Sequence, residues 1–306
     1  MTDSALALDS PAHRLVGAFL SGRNARTTRA YRQDLDDFRS HLNAATAEAA
    51  VARLLGAGAG DANALVLDYR NALVGRGLAV ATVNRRLAAV RSVVKLGRTL
   101  GLVPWSVEIA GLKAEPYRDT RGPGDDGVRR LLGQLDGRTD AKGIRDRAVL
   151  RLLYDLGLRR GELVALDLAD VDVATGTVAV LGKGRTGKVA LTLPDATQTA
   201  LVAWIAVRGS APGPLFVNLD HAHHFHRLDG RSVHRLVRTL GQAAGLAVRP
   251  HGLRHAAITA ALGLTNGNVQ AVARFSRHRD LRTVLRYDDN RTDLGGDVAR
   301  RVAAGV

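Results

Sequence analysis

His251, Arg254, His278 and Tyr287 crowd the last fifth of the chain and carry the groups needed to open a phosphodiester without a metal. A guanidinium grips phosphate oxygens in a planar fork, and an imidazole takes or gives a proton near neutral pH. A phenol can serve as a covalent nucleophile. Upstream, Arg159 stands in Gly157-Leu-Arg-Arg-Gly-Glu-Leu163, where one helix should end and the next begin. Such a corner is rigid and offers free backbone N–H groups, a good place for a phosphate. Lys183, in Leu181-Gly-Lys-Gly184, sits in a tight turn that would project a mobile ammonium past the edge of a small sheet. Arg254 follows His251 by three residues, so both share a face at the start of a helix. Taken singly, each is an ordinary surface residue in an Arg-rich chain. Arg159 could equally be paired with Glu162 in the next turn.

The elements that must hold these groups fall into two parts. Before residue 113 every pattern is helical. Ser10-Pro11 is an N-cap and first-turn pair that opens a helix through Leu20. A second helix follows Thr27-Thr28, with Tyr31, Leu35, Phe38 and Leu42 on one face. A third covers 62–74, and a fourth starts near Thr82 with Val83, Leu87, Val90 and Val94 inward. Arg85, Arg86, Arg91, Lys95 and Arg98 on that last helix are the expected DNA contacts of this part. The stretch 44–60, rich in Ala and Gly, gives no readable chemistry. Residues 113–126 hold two prolines and no hydrophobic period, so they read as a linker.

Beyond the linker the pattern is mixed. A helix over 144–156 stops at Gly157, and a second follows over 160–166. Three β-prone runs at 170–173, 177–181 and 188–193 are separated by turn sequences. Helices are expected near 195–208, 231–244, 252–263, 267–276 and 280–288. The fold class is therefore mainly α, with a helical domain over 1–112 and, over 127–306, a mostly helical domain carrying a small three-stranded antiparallel sheet.

Composition bounds the partners. The chain has 306 residues, 44 basic against 29 acidic, for a net charge of +15. Codon bias explains why only five of the cations are Lys, but it does not explain the excess over acids. Both parts of the chain are positive, which suits a clamp on a duplex. With no cysteine, disulfides, thiolate zinc sites and thiol catalysis are excluded. The acidic N-terminus lacks a basic region before an apolar stretch, and no apolar run reaches membrane-spanning length. The expectation is a cytoplasmic protein.

Arg159, Lys183 in its Gly-Lys-Gly turn, His251-x-x-Arg254, His278 and Tyr287 together closely resemble the tyrosine recombinase (phage integrase) family, of the Xer-like two-domain kind. The likeness covers nearly the whole chain. The stretch Thr27-x-x-x-Tyr31-x-x-Asp34-Leu35-x-x-Phe38 and the stretch Ala81-Thr-Val-Asn-Arg-Arg-Leu87 resemble that family's core-binding domain. The resemblance implies that Tyr287 attacks a DNA phosphodiester to form a 3′-phosphotyrosine and frees a 5′-hydroxyl. Arg159 and Arg254 would hold the non-bridging oxygens, and Lys183 would protonate the leaving oxygen. His251 is the candidate base for the phenol, whose ordinary pKa near 10 makes it a poor nucleophile at neutral pH. His278 would hydrogen-bond the phosphate, and Glu162 would orient the pocket from behind.

No metal or other cofactor is implied. The implied partners are double-stranded DNA recombination sites, bound by a homotetramer spanning two sites and exchanging strands through a four-way junction. A second recombinase is a further candidate partner. No extra arm-site domain is expected before residue 10. Two alternatives stay open: a type IB topoisomerase-like relaxing enzyme, and a non-catalytic DNA-binding protein on the same scaffold.

Three features sit less easily. Tyr31, Tyr69 and Tyr154 fall in helical patterns and read as core, and Tyr117 lies in the linker. Where the family usually has Leu-Gly-His, this chain has Phe275-Ser276-Arg277-His278; losing the Gly changes the packing of that helix, or Arg277 adds a DNA contact. The run His221-Ala-His-His-Phe-His226 reads as a loop near DNA rather than a metal site. By resemblance the C-terminal stretch 294–306 docks on a neighbouring protomer; the alternative is a helix packed on its own domain.

Overall fold

A computed structural model describes residues 10–113 and 122–305, except 24, 183–184, 222–223, 279, 286 and 288–293, and except the side chains of 25–26, 294–295 and 297–298. The chain divides into two compact units, Met1–Tyr117 and Arg118–Val306.

The regular elements described in unit 1 are helices: α1 (Pro11–Leu20), α2 (Ala25–His41), α3 (Ala47–Gly56), α4 (Gly58–Gly75) and α5 (Val80–Thr99). Ser10 caps α1 by accepting the His13 N–H, satisfying a donor that helix geometry leaves orphaned. Phe38 of α2 and Leu42 just beyond it share one buried cluster with Val83, Leu87, Val90 and Val94 of α5, while Leu35 joins Val93 in a second. Tyr31 lies against Phe19 with ring centroids 5.0 Å apart, and Arg23 covers both rings. The Ala-rich stretch that gave no reading contains α3, started by Thr46, whose side chain accepts the Ala49 N–H. Alanine is the strongest helix former, and a cap plus Ala50, Val51 and Leu54 facing inward is enough.

Unit 2 contains α6 (Gly124–Gly133), α7 (Ala141–Asp155), α8 (Arg160–Val164), β1 (Val171–Asp172), β2 (Thr177–Leu181), β3 (Lys188–Thr192), α9 (Asp195–Arg208), α10 (Gly230–Ala243), α11 (Pro250–Leu264), α12 (Val269–Ser276), α13 (Leu281–Leu285) and α14 (Leu294–Ala304). The strands form one antiparallel sheet in the order β1-β2-β3, with Thr177 opposite Thr192 and Leu181 opposite Lys188. The expected linker is too long at its end: Asp125 and Asp126 form the acidic first turn of α6, where they suit the helix dipole.

The core of unit 2 is one cluster in which α7 packs on α9, with Leu152, Leu153, Leu201 and Trp204 fully buried. The Trp204 indole donates to the Leu215 carbonyl at 2.8 Å and stacks on Phe216. A second, smaller cluster joins Ile258, Val272, Ala273, Val284 and Tyr287. Among the described residues no helix is long and apolar enough to cross a membrane.

Candidate active site

Gly157 makes the corner between α7 and α8. Its φ of 54° is left-handed, a conformation glycine adopts without penalty, and it turns the chain so that Arg159 caps α8. Glu162, in the first turn of α8, accepts the Arg159 backbone N–H at 3.0 Å on Oε2 and the Arg159 Nη1–H at 2.6 Å on Oε1. The expected pairing is thus real, and it leaves the Arg159 side chain part-exposed. Burial pushes the Glu162 carboxyl upward. The Arg159 N–H and the guanidiniums of Arg277 and Arg159 outweigh that, so the group stays ionised below its ordinary range.

α11 supplies His251 and Arg254. Its start is held tight because any side chain at Gly122 would collide with the Gly252 carbonyl and with Ala256. His251 is exposed at this end, and burial of its ring together with the charges of Arg254 and Arg159 holds its pKa below the usual imidazole value. Arg254 is 2% exposed and donates to the carbonyls of Gly157 and Ser276. Its Nη2 also lies 3.3 Å from His278 Nε2. A guanidinium has five N–H donors, so these contacts leave some unused. Burial and the neighbouring charges of Arg159 and Arg277 push Arg254 down to about 10.

His278 follows α12 and is fixed at both ring nitrogens. Ser276 Oγ donates to the Val272 carbonyl at 2.7 Å, so toward His278 Nδ1, also at 2.7 Å, it can only accept. The proton therefore sits on Nδ1, and Nε2 turns its lone pair to Arg254. Burial, with the charges of Arg254, Arg159 and Arg277, pushes this imidazole down to about 4. In this arrangement the one N–H of His278 is directed at Ser276.

Tyr287 lies in the turn after α13, where the expected helix over 280–288 has already ended, and its N–H donates to the Val284 carbonyl. It is 8% exposed. Its ring centroid is 4.8 Å from His255 and 5.7 Å from His278, and the tyrosine is near enough for its charge to act on Arg254. His255 was missed by the sequence reading. Its position four residues after His251, on the same face of a helix, was the available signal.

Lys183 lies outside the described residues. Of its described neighbours, Arg185 donates its N–H to the Gly182 carbonyl at 3.0 Å, and the Arg185 charge acts on Arg277. Lys188, the hairpin's other lysine, is paired with Asp170. His223 of the histidine run is likewise outside the described residues. Asn218 N–H donates to the His226 carbonyl within a loop. Among the described residues no three His, Asp or Glu side chains group as they would around a metal.

The residues expected to contact DNA have the following partners in the structure. Arg277 does not reach outward: it is 8% exposed, with Nη2 3.0 Å from Glu162 Oε2. Arg85 bonds both oxygens of the buried Asp34 at 2.5 Å, and Arg86 lies 2.9 Å from Asp37, so both answer carboxylates of α2. Arg91 donates to the Ile109 carbonyl and Arg98 to Ser106 Oγ, while Lys95 is exposed. A basic face was overlooked on α10, where Arg231, Arg235 and Arg238 are exposed on a helix with no acidic residue.

The phage integrase family model matches residues 125–293. A tyrosine recombinase of Synechocystis sp. is 39% identical over 277 residues, which cover 88% of each chain. The tyrosine recombinase XerC of Pelobacter propionicus is 31% identical over 85% of this chain and 83% of its own. Among solved structures, the Tn1549 transposon integrase in complex with transposon right end DNA aligns over 95% of this chain and 99% of its own, with TM-score 0.67 at 17% identity. A lambda integrase dimer bound to a COC′ core site aligns over 91% and 95%, with TM-score 0.65 at 15% identity. The chain belongs to the phage integrase family of tyrosine recombinases.

Proposed function

We propose that the chain is a site-specific DNA recombinase that cuts and rejoins duplex DNA with Tyr287 as nucleophile. The observation that carries this is the meeting of Arg159, Arg254, His278 and Tyr287, from four separate segments, around the Gly157 corner. The phenol oxygen attacks the phosphorus and passes its proton to His251, which burial and its cationic neighbours keep neutral and able to accept. Arg159 and the unused donors of Arg254 bind the non-bridging oxygens as negative charge builds there. The phosphorus–oxygen bond to the 5′ side breaks, and Lys183 gives its proton to the departing oxygen. The product is a 3′-phosphotyrosine that keeps the energy of the phosphodiester, so a 5′-hydroxyl from another strand reverses the step without a cofactor. A homotetramer on two sites, in the cytoplasm, completes the reading. The basic faces of both units grip the duplex backbone, and residues 1–112 act as the core-binding domain and 127–306 as the catalytic domain.

The test uses a pool of nicked duplexes with randomised arms, incubated with the full chain and denatured. Wild type should give a covalent adduct, mapped to Tyr287 by mass spectrometry, and Tyr287→Phe should give none. Adduct that persists in Tyr287→Phe would sink the assignment. Strand transfer between two selected duplexes then separates a recombinase from a relaxing enzyme, and absence of any adduct leaves the non-catalytic binding protein.

A further inference from the structure

Arg277 occupies a position that the backbone would rather give to glycine. α12 ends with the His278 N–H on the Ala273 carbonyl and the Arg277 N–H on the Arg274 carbonyl, and Arg277 itself is left-handed at φ 58°, ψ 36°. A residue bearing a Cβ pays about 1 kcal/mol for that conformation. The side chain is also buried as a cation. Nη1 donates to the carbonyls of Leu156 and Phe275 at 3.1 and 2.9 Å, and Nη2 to the Gly157 carbonyl and Glu162 Oε2 at 3.2 and 3.0 Å. Nε has no partner among the described residues. A strained backbone, a buried charge and an orphaned donor are three costs in one residue, and only a specific contact accounts for retaining it.

That contact is Glu162. A buried carboxylate facing one arginine takes it by both oxygens, fork to fork. Here the two oxygens are divided: Oε2 receives Arg277 Nη2 and the Arg159 backbone N–H, while Oε1 alone receives Arg159 Nη1. No other bond from the Arg159 guanidinium runs to a described residue. The Gly157 carbonyl meanwhile binds Arg254 and Arg277 together, so the three guanidiniums form one ring around the corner.

We propose that Arg277 is a positioning residue: by occupying half of Glu162 it holds Arg159 on a single nitrogen, so that the rest of the Arg159 fork faces the phosphate. This rests on the proposed function, in which Arg159 binds a phosphate oxygen. Without Arg277 the carboxylate would draw Arg159 inward by both oxygens and withdraw it from DNA.

The experiment compares wild type, Arg277→Gly, Arg277→Lys and the double variant Arg277→Gly/Glu162→Gln on a nicked duplex selected from the randomised pool. Glycine suits the backbone but removes one member of a buried pair, so Arg277→Gly should melt at a lower temperature. Assayed well below that melt, it should keep its DNA affinity while adduct formation slows about 100-fold, the scale of a misplaced catalytic group. Adding Glu162→Gln should restore part of the rate, because a neutral amide releases Arg159; a purely structural role predicts no recovery. Arg277→Lys should retain most of the rate. If Arg277→Gly fails to fold, Arg277→Gln, which keeps length without charge, takes its place and should be equally slow. An Arg277→Gly that cleaves at the wild-type rate overturns the proposal, as does a double variant no faster than the single. A DNA-free arm measures phenylglyoxal labelling of Arg159 by mass spectrometry. Slower labelling in Arg277→Gly supports the proposal and equal labelling overturns it, even if wild type forms no adduct and the proposed function itself fails.

Discussion

Ser276 commits its hydroxyl proton to a backbone carbonyl one turn back, and this small commitment sets the chemistry of the imidazole two residues on. His278 is left as a neutral ring with its lone pair on a guanidinium, the form that burial and three arginines favour. The consequence is measurable as stability. In the unfolded chain this histidine takes its proton near the ordinary value of 6.5, while in the folded chain it does so only at about 4. Between those limits the unfolded state binds more protons, so stability is full above pH 6.5 and is lost as pH falls toward 4. The melting temperature of the full chain should drop through that window, and His278→Asn should flatten part of the drop. An unchanged pH profile in the variant would show that the ring is not held neutral. The sequence exposed the residues of this site but not the direction of their bonds. Arg277 reads as one more cation in an Arg-rich chain, because a carboxylate 115 positions upstream is invisible to local spacing.

At the scale of elements, α2 and α5 are joined by more than their apolar faces. Asp34 is buried against Arg85 and Arg86, and Asp37 takes Arg76 and the Tyr69 hydroxyl as well as Arg86. Burial raises the Asp34 pKa against the pull of both arginines, the mark of a carboxylate whose partners only just compensate its desolvation. Asp34→Ala would leave Arg86, itself largely buried, facing no near charge from that side. Removing one member of a buried pair costs about 3–5 kcal/mol, and half-exposed Arg85 argues for the lower end. The denaturant midpoint of the full chain should fall accordingly; a fall no larger than that of Asp36→Ala, whose carboxylate is exposed, would refute the network's importance. The helices were legible here because Leu35, Phe38, Val83 and Leu87 repeat with the helical period. The ion pairs were not, since Arg85 and Arg86 find Asp34 only after the helices have packed. α3 was missed for the opposite reason: alanine carries no pattern to read, only propensity.

For the whole molecule, an excess of 15 positive charges means little unless it is arranged. Several arginines turn inward on carboxylates or carbonyls, whereas α10 keeps Arg231, Arg235 and Arg238 outward on a helix anchored by Val233, Leu236, Val237 and Leu240. Replacing those three arginines by alanine should weaken binding to every duplex alike and reduce the dependence of log K on log salt by about 1 for each phosphate left without its guanidinium. Titration of a fluorescent duplex at several salt concentrations measures the slope, and an unchanged slope would remove α10 from the interface. Weakening confined to particular sequences would instead make this helix a reader of bases.

Tyr287 belongs to the small cluster with Ile258, Val272, Ala273 and Val284, apart from the large core between α7 and α9. A cluster of that size is held by a small share of the unit's free energy, so it can open while the rest stays folded. On the proposed function, the nucleophile is therefore stored rather than displayed. Its rate of attack carries the equilibrium constant of that local opening as a factor, and a methyl group removed from Val272 or Val284 reaches the chemistry without touching the substrate.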